Sequence, residues 1–570
     1  MKNKSLPVVA AVLSVSMLFG EAGFVNATNS KQVLPSIEQK EKKRKGGMKS
    51  IAHPFSWDQP GPSSPVLHPG PVRAAGMVNQ PLHDIDRFME SAIEQRAIPG
   101  AVVYVARRGV TVKHDAYGYA ARYVDNQYTE MDDTKLMEKD TIFDLASISK
   151  LFTTTAAMKL YEQGKFKLDD PVADYIPEFS QNGKSDVTIR QLMTHTSGFA
   201  AWIPLYNRGE SRTDRLQIVF SQPLQNKPGA KYTYSDLNMI TLGALVERLS
   251  GKRLDEFVAA TITKPLKMNN TMYNPPASLK ERIAATEYQP STGRGLVWGE
   301  VHDENAWSLD GVAGHAGVFS TAEDLAKFSH MILQEGKYGR TRILQPSTVK
   351  LLNENQNAAF PGDDHGLGWE LQQGWYMDAL TESHTLGHTG YTGTSIVVSP
   401  TNDTIAILLT NRVHPTRTTV STNPTRRSFA RQVADSIPVD IPGKNPAWFS
   451  GYGDNLKRQL ILETELEQNA VLSLDTWYRI EAETDYGDIE ISEDGKQWAK
   501  LADSVTGNSG QWLKQKFPVP IHTKYIRFTY RTDATVNGRG WYVANIKLMS
   551  DSGQEINTNI VNEGWTLRKY

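Results

Sequence analysis

Ser147 and Lys150 stand at the head of a helical run, Asp144-Leu-Ala-Ser-Ile-Ser-Lys150 followed by Leu-Phe-Thr-Thr-Thr-Ala-Ala-Met-Lys-Leu. One helical turn separates them, so hydroxyl and amine share a face. A serine hydroxyl needs an adjacent base to act as a nucleophile. A lysine amine is that base only where burial and neighbouring charge lower its pKa. Ser-x-x-Lys recurs by chance in long chains, and an ordinary buried helix start uses the same residues. Two further segments strengthen the catalytic reading. Tyr234-Ser235-Asp236 lies on a loop just before a helix, and His388-Thr389-Gly390 heads a strand. A serine acyl-enzyme needs a nucleophile, a base, a proton donor for the leaving atom and an oxyanion hole. Tyr234 beside Lys150 can shuttle the proton, and the two titrate as a pair. Gly390 lets substrate approach the strand edge and pair with it.

These residues need a scaffold, and the chain has room for two or three domains in 570 residues. Apolar content of 39%, charged content of 22% and a net charge of −1 describe a globular protein with no nucleic-acid partner. The chain has no cysteine, which excludes disulfides, thiolate catalysis and cysteine metal sites. Residues 1–27 read as a signal peptide: Lys2 and Lys4, an apolar run from Leu6 to Phe19, and small residues up to Ala27. A secreted or cell-wall-associated protein is expected. Residues 28–80 read as a basic and Pro/Gly-rich linker that cannot bury enough apolar surface to fold.

Folded structure is expected from about 81 to 440. Ile85, Phe88, Met89 and Ile93 repeat at helical spacing, Ala101–Ala106 is a buried strand, and Val110–Val112 is its hairpin partner. Ser395–Ser399 and Thr404–Thr410 read as paired strands, with a closing helix from Ser428 to Ser436. Strands at both ends of a helical block predict an α+β fold, an antiparallel sheet flanked by terminal helices plus an all-helical subdomain. Residues 443–570 alternate at period two and predict a C-terminal β-sandwich of the jelly-roll kind. Trp477, Trp512 and Trp541 there serve either core packing or sugar stacking.

Residues 82 to about 436 resemble the penicillin-recognising serine hydrolases of the class C β-lactamase type. The likeness rests on Ser147-x-x-Lys150, on Tyr-Ser-Asp for Tyr-x-Asn and on His-Thr-Gly for Lys-Thr-Gly. It extends to Leu192-Met-Thr-His-Thr-Ser-Gly198, Pro228-Gly229 and Ser320-Thr-Ala-Glu-Asp-Leu325. It implies that Ser147 is acylated, that Lys150 and Tyr234 move protons, and that the N–H groups of Ser147 and Tyr391 form the oxyanion hole. It places Asp236, His388, Thr389, Gly390 and Tyr391 against substrate, with His388 facing a substrate carboxylate. Asp236 in place of asparagine and His388 in place of lysine weaken the case for β-lactam hydrolysis.

Gly299–Ala306 and Gly311–Gly317 are similar to penicillin-binding protein 4B-like carboxypeptidases and muropeptide amidases. His302, Asp303 and His315 then contact substrate, serve structure or hold a metal; His195 reads as structural. The function implied is cleavage of an amide in peptidoglycan-derived peptides by a D-Ala-D-Ala carboxypeptidase or a muramyl-L-alanine amidase. An esterase and a penicillin-binding surface protein with little turnover are the alternatives. No metal or organic cofactor is expected, and the chain is expected to be a monomer. The sandwich resembles MAM-like or galactose-binding-like domains; its ligand stays open, with cell-wall carbohydrate as one candidate partner.

Overall fold

Two neighbouring strands show why the central sheet lies in the middle of its domain. Val102, Tyr104 and Ala106 enter one apolar cluster while Ala101, Val103 and Val105 enter another. Ile405, Ile407 and Leu409 divide from Ala406 and Leu408 in the same way. Successive side chains point to opposite faces, so an unbroken apolar run means burial on both. The computed structural model describes residues 61–570 apart from Lys444. The expected signal peptide and most of the expected linker lie outside the described residues.

The sheet has eight strands. They are β1 (His68–Pro69), β2 (Gly100–Arg107), β3 (Val110–Tyr123), β4 (Glu130–Leu136), β5 (Glu370–Leu371), β6 (Leu386–Thr389), β7 (Ser395–Ser399) and β8 (Thr404–Thr410). Their order is β1-β3-β2-β8-β7-β6-β5, with β4 pairing β3. All pairs are antiparallel except β1 with β3. The β2–β3 hairpin turns through Arg108 and Gly109, both at positive φ (55° and 77°), the backbone twist that two-residue hairpins require.

Helix α1 (Gln80–Glu94) and the last helix of the domain pack on one face, through Ile85, Met89, Phe429 and Val433. The other face carries α2 (Ser149–Glu162), α3 (Ile189–Met193), α4 (Asp236–Ser250) and α5 (Ala322–Leu333); the closing helix, α6, spans Asn423–Asp435. Ser149 to Met158 of α2 are buried without interruption, so α2 is a core helix rather than an amphipathic one. Each fully buried Leu or Phe on it contributes about 1.5–3 kcal/mol.

The linker expectation fails between 61 and 80. Ala74, Ala75 and Met77 are buried, and β1 pairs with β3 at His68↔Val110. Arg107 donates to the carbonyls of Ala75 and Gly76 at 3.0 and 2.6 Å, which anchors the segment. Its Pro/Gly composition conceals this, because the burial is against distant strands.

The C-terminal strands are β9 (Ala447–Phe449), β10 (Lys457–Glu463), β11 (Ala470–Arg479), β12 (Tyr486–Ser492), β13 (Ala499–Lys500) and β14 (Leu513–Val519). They continue as β15 (Tyr525–Arg531), β16 (Gly540–Ser550), β17 (Glu555–Ile556), β18 (Asn559–Glu563) and β19 (Thr566–Arg568). One sheet runs β14-β11-β16-β9-β19 with β17 beside β16, the other β13-β12-β15-β10-β18. Leu460, Leu472, Phe528 and Trp541 from both sheets share one core, which makes a sandwich. Trp541 is fully buried and donates to Thr476 Oγ1 at 2.8 Å, so it packs rather than stacks on sugar. Trp512 donates to the Val439 carbonyl at 2.7 Å. The sandwich and the hydrolase domain together form one compact unit across the described residues.

Candidate active site

Ser147, the candidate nucleophile, sits in a 3-10 turn, Ala146–Ile148, immediately before α2. Ala146 has φ +47°, a strained value for a residue with a Cβ. The turn is tied at several points. Asp144 Oδ1 accepts the Ala146 N–H at 2.8 Å and Oδ2 the His302 N–H at 2.6 Å. Thr392 Oγ1 donates to the Asp144 carbonyl at 2.8 Å and Thr394 Oγ1 to the Leu145 carbonyl at 3.1 Å. A Cβ on Gly390 would stand 2.4 Å from the Leu145 carbonyl and 2.1 Å from Thr394 Oγ1. Gly390 therefore lets the end of β6 close on the nucleophile turn; its smallness serves the protein's own packing before it serves substrate.

Lys150 Nζ donates to Ser147 Oγ at 2.8 Å and to the His315 carbonyl at 3.1 Å. It also pairs with Asp236 Oδ1 at 2.8 Å, with the lysine side chain 1% exposed. Burial alone would lower its pKa, but Asp236 and Tyr234 outweigh burial and hold the ammonium above its ordinary range. Lys150 is thus an ammonium at rest, not the free amine that the sequence requires of a base. Asp236 is the counter-ion of this lysine and also lines a cavity beside Ser147.

Tyr234 stands beside Ser147 and Lys150, both of which act to draw its pKa down. Burial pushes its hydroxyl up to about 12 against the opposing pull of Lys150. Its ring lies 4.8 Å from Lys150 Nζ and 4.6 Å from the His195 ring. His195 is buried, its Nδ1 accepting the Ser235 N–H at 3.1 Å. Burial, then His365, Lys150 and His388, hold His195 well below its ordinary pKa, so it supports the Tyr234 loop and carries no charge.

His388 does not face substrate as a cation. It is 1% exposed, its Nδ1 lies 2.8 Å from the Thr389 carbonyl, and burial together with Lys150 pushes its pKa down to about 3. The motif gives its position on β6 but not its solvation. Thr389, Gly390 and Tyr391 do line the cavity.

Two cavities meet at Ser147, Tyr234 and Tyr391, whose side chain is 53% exposed. The first, about 510 Å³, is bounded by Glu370, Trp375, Arg412, Asn423 and Arg426. Arg426 is committed to the carbonyls of Gly390 and Thr394 at 2.9 and 3.1 Å. Arg412 lies 5.9 Å from the Tyr391 ring, and its buried Nε has no hydrogen-bond partner. Burial pushes Glu370 up to about 7 against the Tyr376 hydroxyl, Arg426 and Lys150. Sequence reasoning missed Glu370 and Arg412. Glu370 enters only through the register Glu370↔Gly387, and Arg412 only because β8 ends beside β7.

The second cavity, about 350 Å³, is bounded by Trp202, Asp236, His302, Asp303, His315 and Arg417. His302 Nε2 lies 2.9 Å from Glu287 Oε2, and its ring stacks on Tyr391 at 5.8 Å. Burial would raise Glu287, but His302 and Arg417 bring it down to about 2. His315 Nε2 lies 2.8 Å from Asp303 Oδ1, and Asp303 caps the helix Glu304–Ser308 through Ala306 N–H at 2.7 Å. Asp236, Asp303 and His315 present ligand atoms within 4.8 Å of one another. A dication there would face the Lys150 ammonium, so the charges favour a hydrogen-bonded wall over a metal centre.

This arrangement can support acyl transfer. As Ser147 Oγ bonds to a carbonyl carbon, its proton enters the Lys150–Tyr234–Asp236 network. Lys150 can pass a proton to Asp236 while taking the one from Ser147, and Tyr234 can return it to the leaving atom.

Residues 85–431 match the family model described as Beta-lactamase. The chain belongs to the Beta-lactamase family, and its main domain is a β-lactamase-fold serine hydrolase. A relative from Salmonella agona, named "Putative D-alanyl-D-alanine carboxypeptidase", is 32% identical over 393 residues, which is 63% of this chain and 89% of the relative. One of the same name from Escherichia coli K12 is 32% identical over 391 residues, 61% of this chain and 86% of its own. Among solved structures, "EstCE1, a hydrolase with promiscuous acyltransferase activity" is 24% identical at a TM-score of 0.49, covering 63% of this chain and 98% of its own. A penicillin-binding protein homolog from Caulobacter crescentus is 16% identical at a TM-score of 0.49, with coverage of 63% and 98%.

Proposed function

We propose that the protein is an exported hydrolase that cleaves an amide in peptidoglycan-derived peptides through a Ser147 acyl-enzyme, as a carboxypeptidase of the D-Ala-D-Ala type. The observation that carries this reading is the pairing of a nucleophile cluster with an adjacent cation. Ser147, Lys150, Tyr234 and Asp236 lie together, and Arg412 lines the same cavity as Ser147 with no acidic partner in reach of its buried Nε. A guanidinium so placed suits the terminal carboxylate of a peptide. The names of the relatives at 32% identity support the same substrate class. The reaction needs no metal or organic cofactor. The sandwich would hold cell-wall carbohydrate, and the chain would act as a monomer at or beyond the cell wall.

Mass spectrometry of muropeptides incubated with the purified protein tests this. Loss of terminal D-Ala supports the carboxypeptidase. Release of peptide from the muramyl lactyl group makes it an amidase, and turnover of p-nitrophenyl acetate without muropeptide cleavage makes it an esterase. Penicillin adducts without muropeptide cleavage make it a penicillin-binding surface protein. Fractionation of the producing cells, with the isolated wall as a binding partner, tests location and carbohydrate affinity.

A further inference from the structure

Glu481, Asp485 and Asp533 bring carboxylate oxygens within 4.8 Å of one another at one end of the sandwich. Glu481 and Asp485 lie between β11 and β12, and Asp533 lies just after β15. Asp485 is 0% exposed. Its Oδ1 accepts the Asp533 N–H at 3.1 Å, while its buried Oδ2 has no hydrogen-bond partner among the described residues. Glu481 Oε2 is buried and unpartnered as well. Nearby acids are neutralised differently: Asp488 pairs with Lys500 at 3.1 Å and with Arg531, and Asp454 with Arg427 at 3.0 Å. The charges that act on Glu481 are acidic, Asp533 and Asp485. Buried anionic oxygens without a partner are costly, and a bound cation removes both the repulsion and the missing bonds.

We propose that Glu481, Asp485 and Asp533 bind a Ca²⁺-type divalent cation that fixes the loops docking the sandwich onto the hydrolase domain. The donor set is oxygen only, which suits a hard cation and not zinc. Ca²⁺ accepts about six to eight oxygens in irregular geometry, so backbone carbonyls and water complete its shell. The loops it would join are the docking loops. Arg479, two residues before Glu481, donates to Glu382 and to the Ala379 carbonyl of the hydrolase domain. The segment after Asp533 carries Arg539, which donates to the Ile437 carbonyl. A Cβ on Gly538 would lie 2.0 Å from the Arg479 carbonyl, so the two loops are already in contact.

The test titrates the EGTA-stripped full-length chain with CaCl₂ by calorimetry and follows its unfolding temperature. One Ca²⁺ per chain should bind, in or below the ~10⁻⁴–10⁻³ M range of extracellular modules, and should raise the unfolding temperature. Asp485→Asn should weaken binding at least about tenfold and lose the Ca²⁺-dependent rise, while Ser147 still labels with a fluorophosphonate. If Asp485→Asn does not fold, Glu481→Gln carries the same comparison. Absence of binding at about 10 mM Ca²⁺, or an equal Ca²⁺ response in wild type and variants, would overturn the site.

Discussion

Asp236 gives the nucleophile cluster its charge. With Asp236 in place, Lys150 is a buried ammonium with a counter-ion at 2.8 Å. Removing one member of a buried pair leaves the other uncompensated, at a cost of about 3–5 kcal/mol. Asp236→Ala should lower the denaturation midpoint accordingly and abolish turnover, read by urea unfolding and by muropeptide assay; an unchanged midpoint would deny the pair its role. If Arg412 holds the substrate carboxylate, it governs binding rather than chemistry. Arg412→Ala should raise KM for a carboxylate-ended peptide by about 10- to 100-fold, the worth of a charge-assisted hydrogen bond of ~1.5–3 kcal/mol. The same change should leave p-nitrophenyl acetate turnover intact; equal effects on both substrates would contradict this. Glu370 should set the pH dependence of KM for a carboxylate-ended substrate. Its carboxyl, pushed up to about 7, is neutral below that pH and anionic above it, where it competes with a substrate carboxylate for the cations. KM for such a substrate should rise as pH rises through about 7, by roughly tenfold (~1.4 kcal/mol). Glu370→Gln should flatten that rise, and a slope that persists in the variant would assign it elsewhere.

The elements hold this chemistry through one close approach. The end of β6 meets the nucleophile turn because Gly390 has no side chain. Gly390→Ala should force the strand away, at about 1–3 kcal/mol for overpacking, with kcat falling more than KM rises. Unchanged kinetics would show that the approach is dispensable. Much at this scale was legible in the residues. The apolar runs of β2 and β8 read as strands, β2 as a buried one, and the three motifs pointed to the loops that meet. What stayed hidden depends on partners far away in the chain. Glu370 and Arg412 reach the cavity only through strand register. The Lys150–Asp236 pair depends on where α4 begins. His388 occupies the motif position expected of it, yet a motif carries no information on burial, and burial removes its charge. The Pro/Gly-rich stretch from 61 to 80 reads as a linker until β3 is seen beside it.

At the scale of the molecule, the sandwich is locked to the hydrolase domain through buried arginines. Arg479 and Arg539 are 9% exposed each, and their bonds to Glu382, Ala379 and Ile437 cross the boundary. Arg479→Ala strands Glu382 and should make the segment around residues 438–446 sensitive to protease, while Ser147 remains reactive. Proteolysis unchanged from wild type would mean that the apolar contacts suffice. The central claim remains that Ser147 is the nucleophile of the whole molecule. Intact-mass and peptide mapping after fluorophosphonate treatment address it directly. One adduct on the peptide containing Ser147, absent from Ser147→Ala, is the predicted result. An adduct on another residue, or one that survives Ser147→Ala, would contradict it.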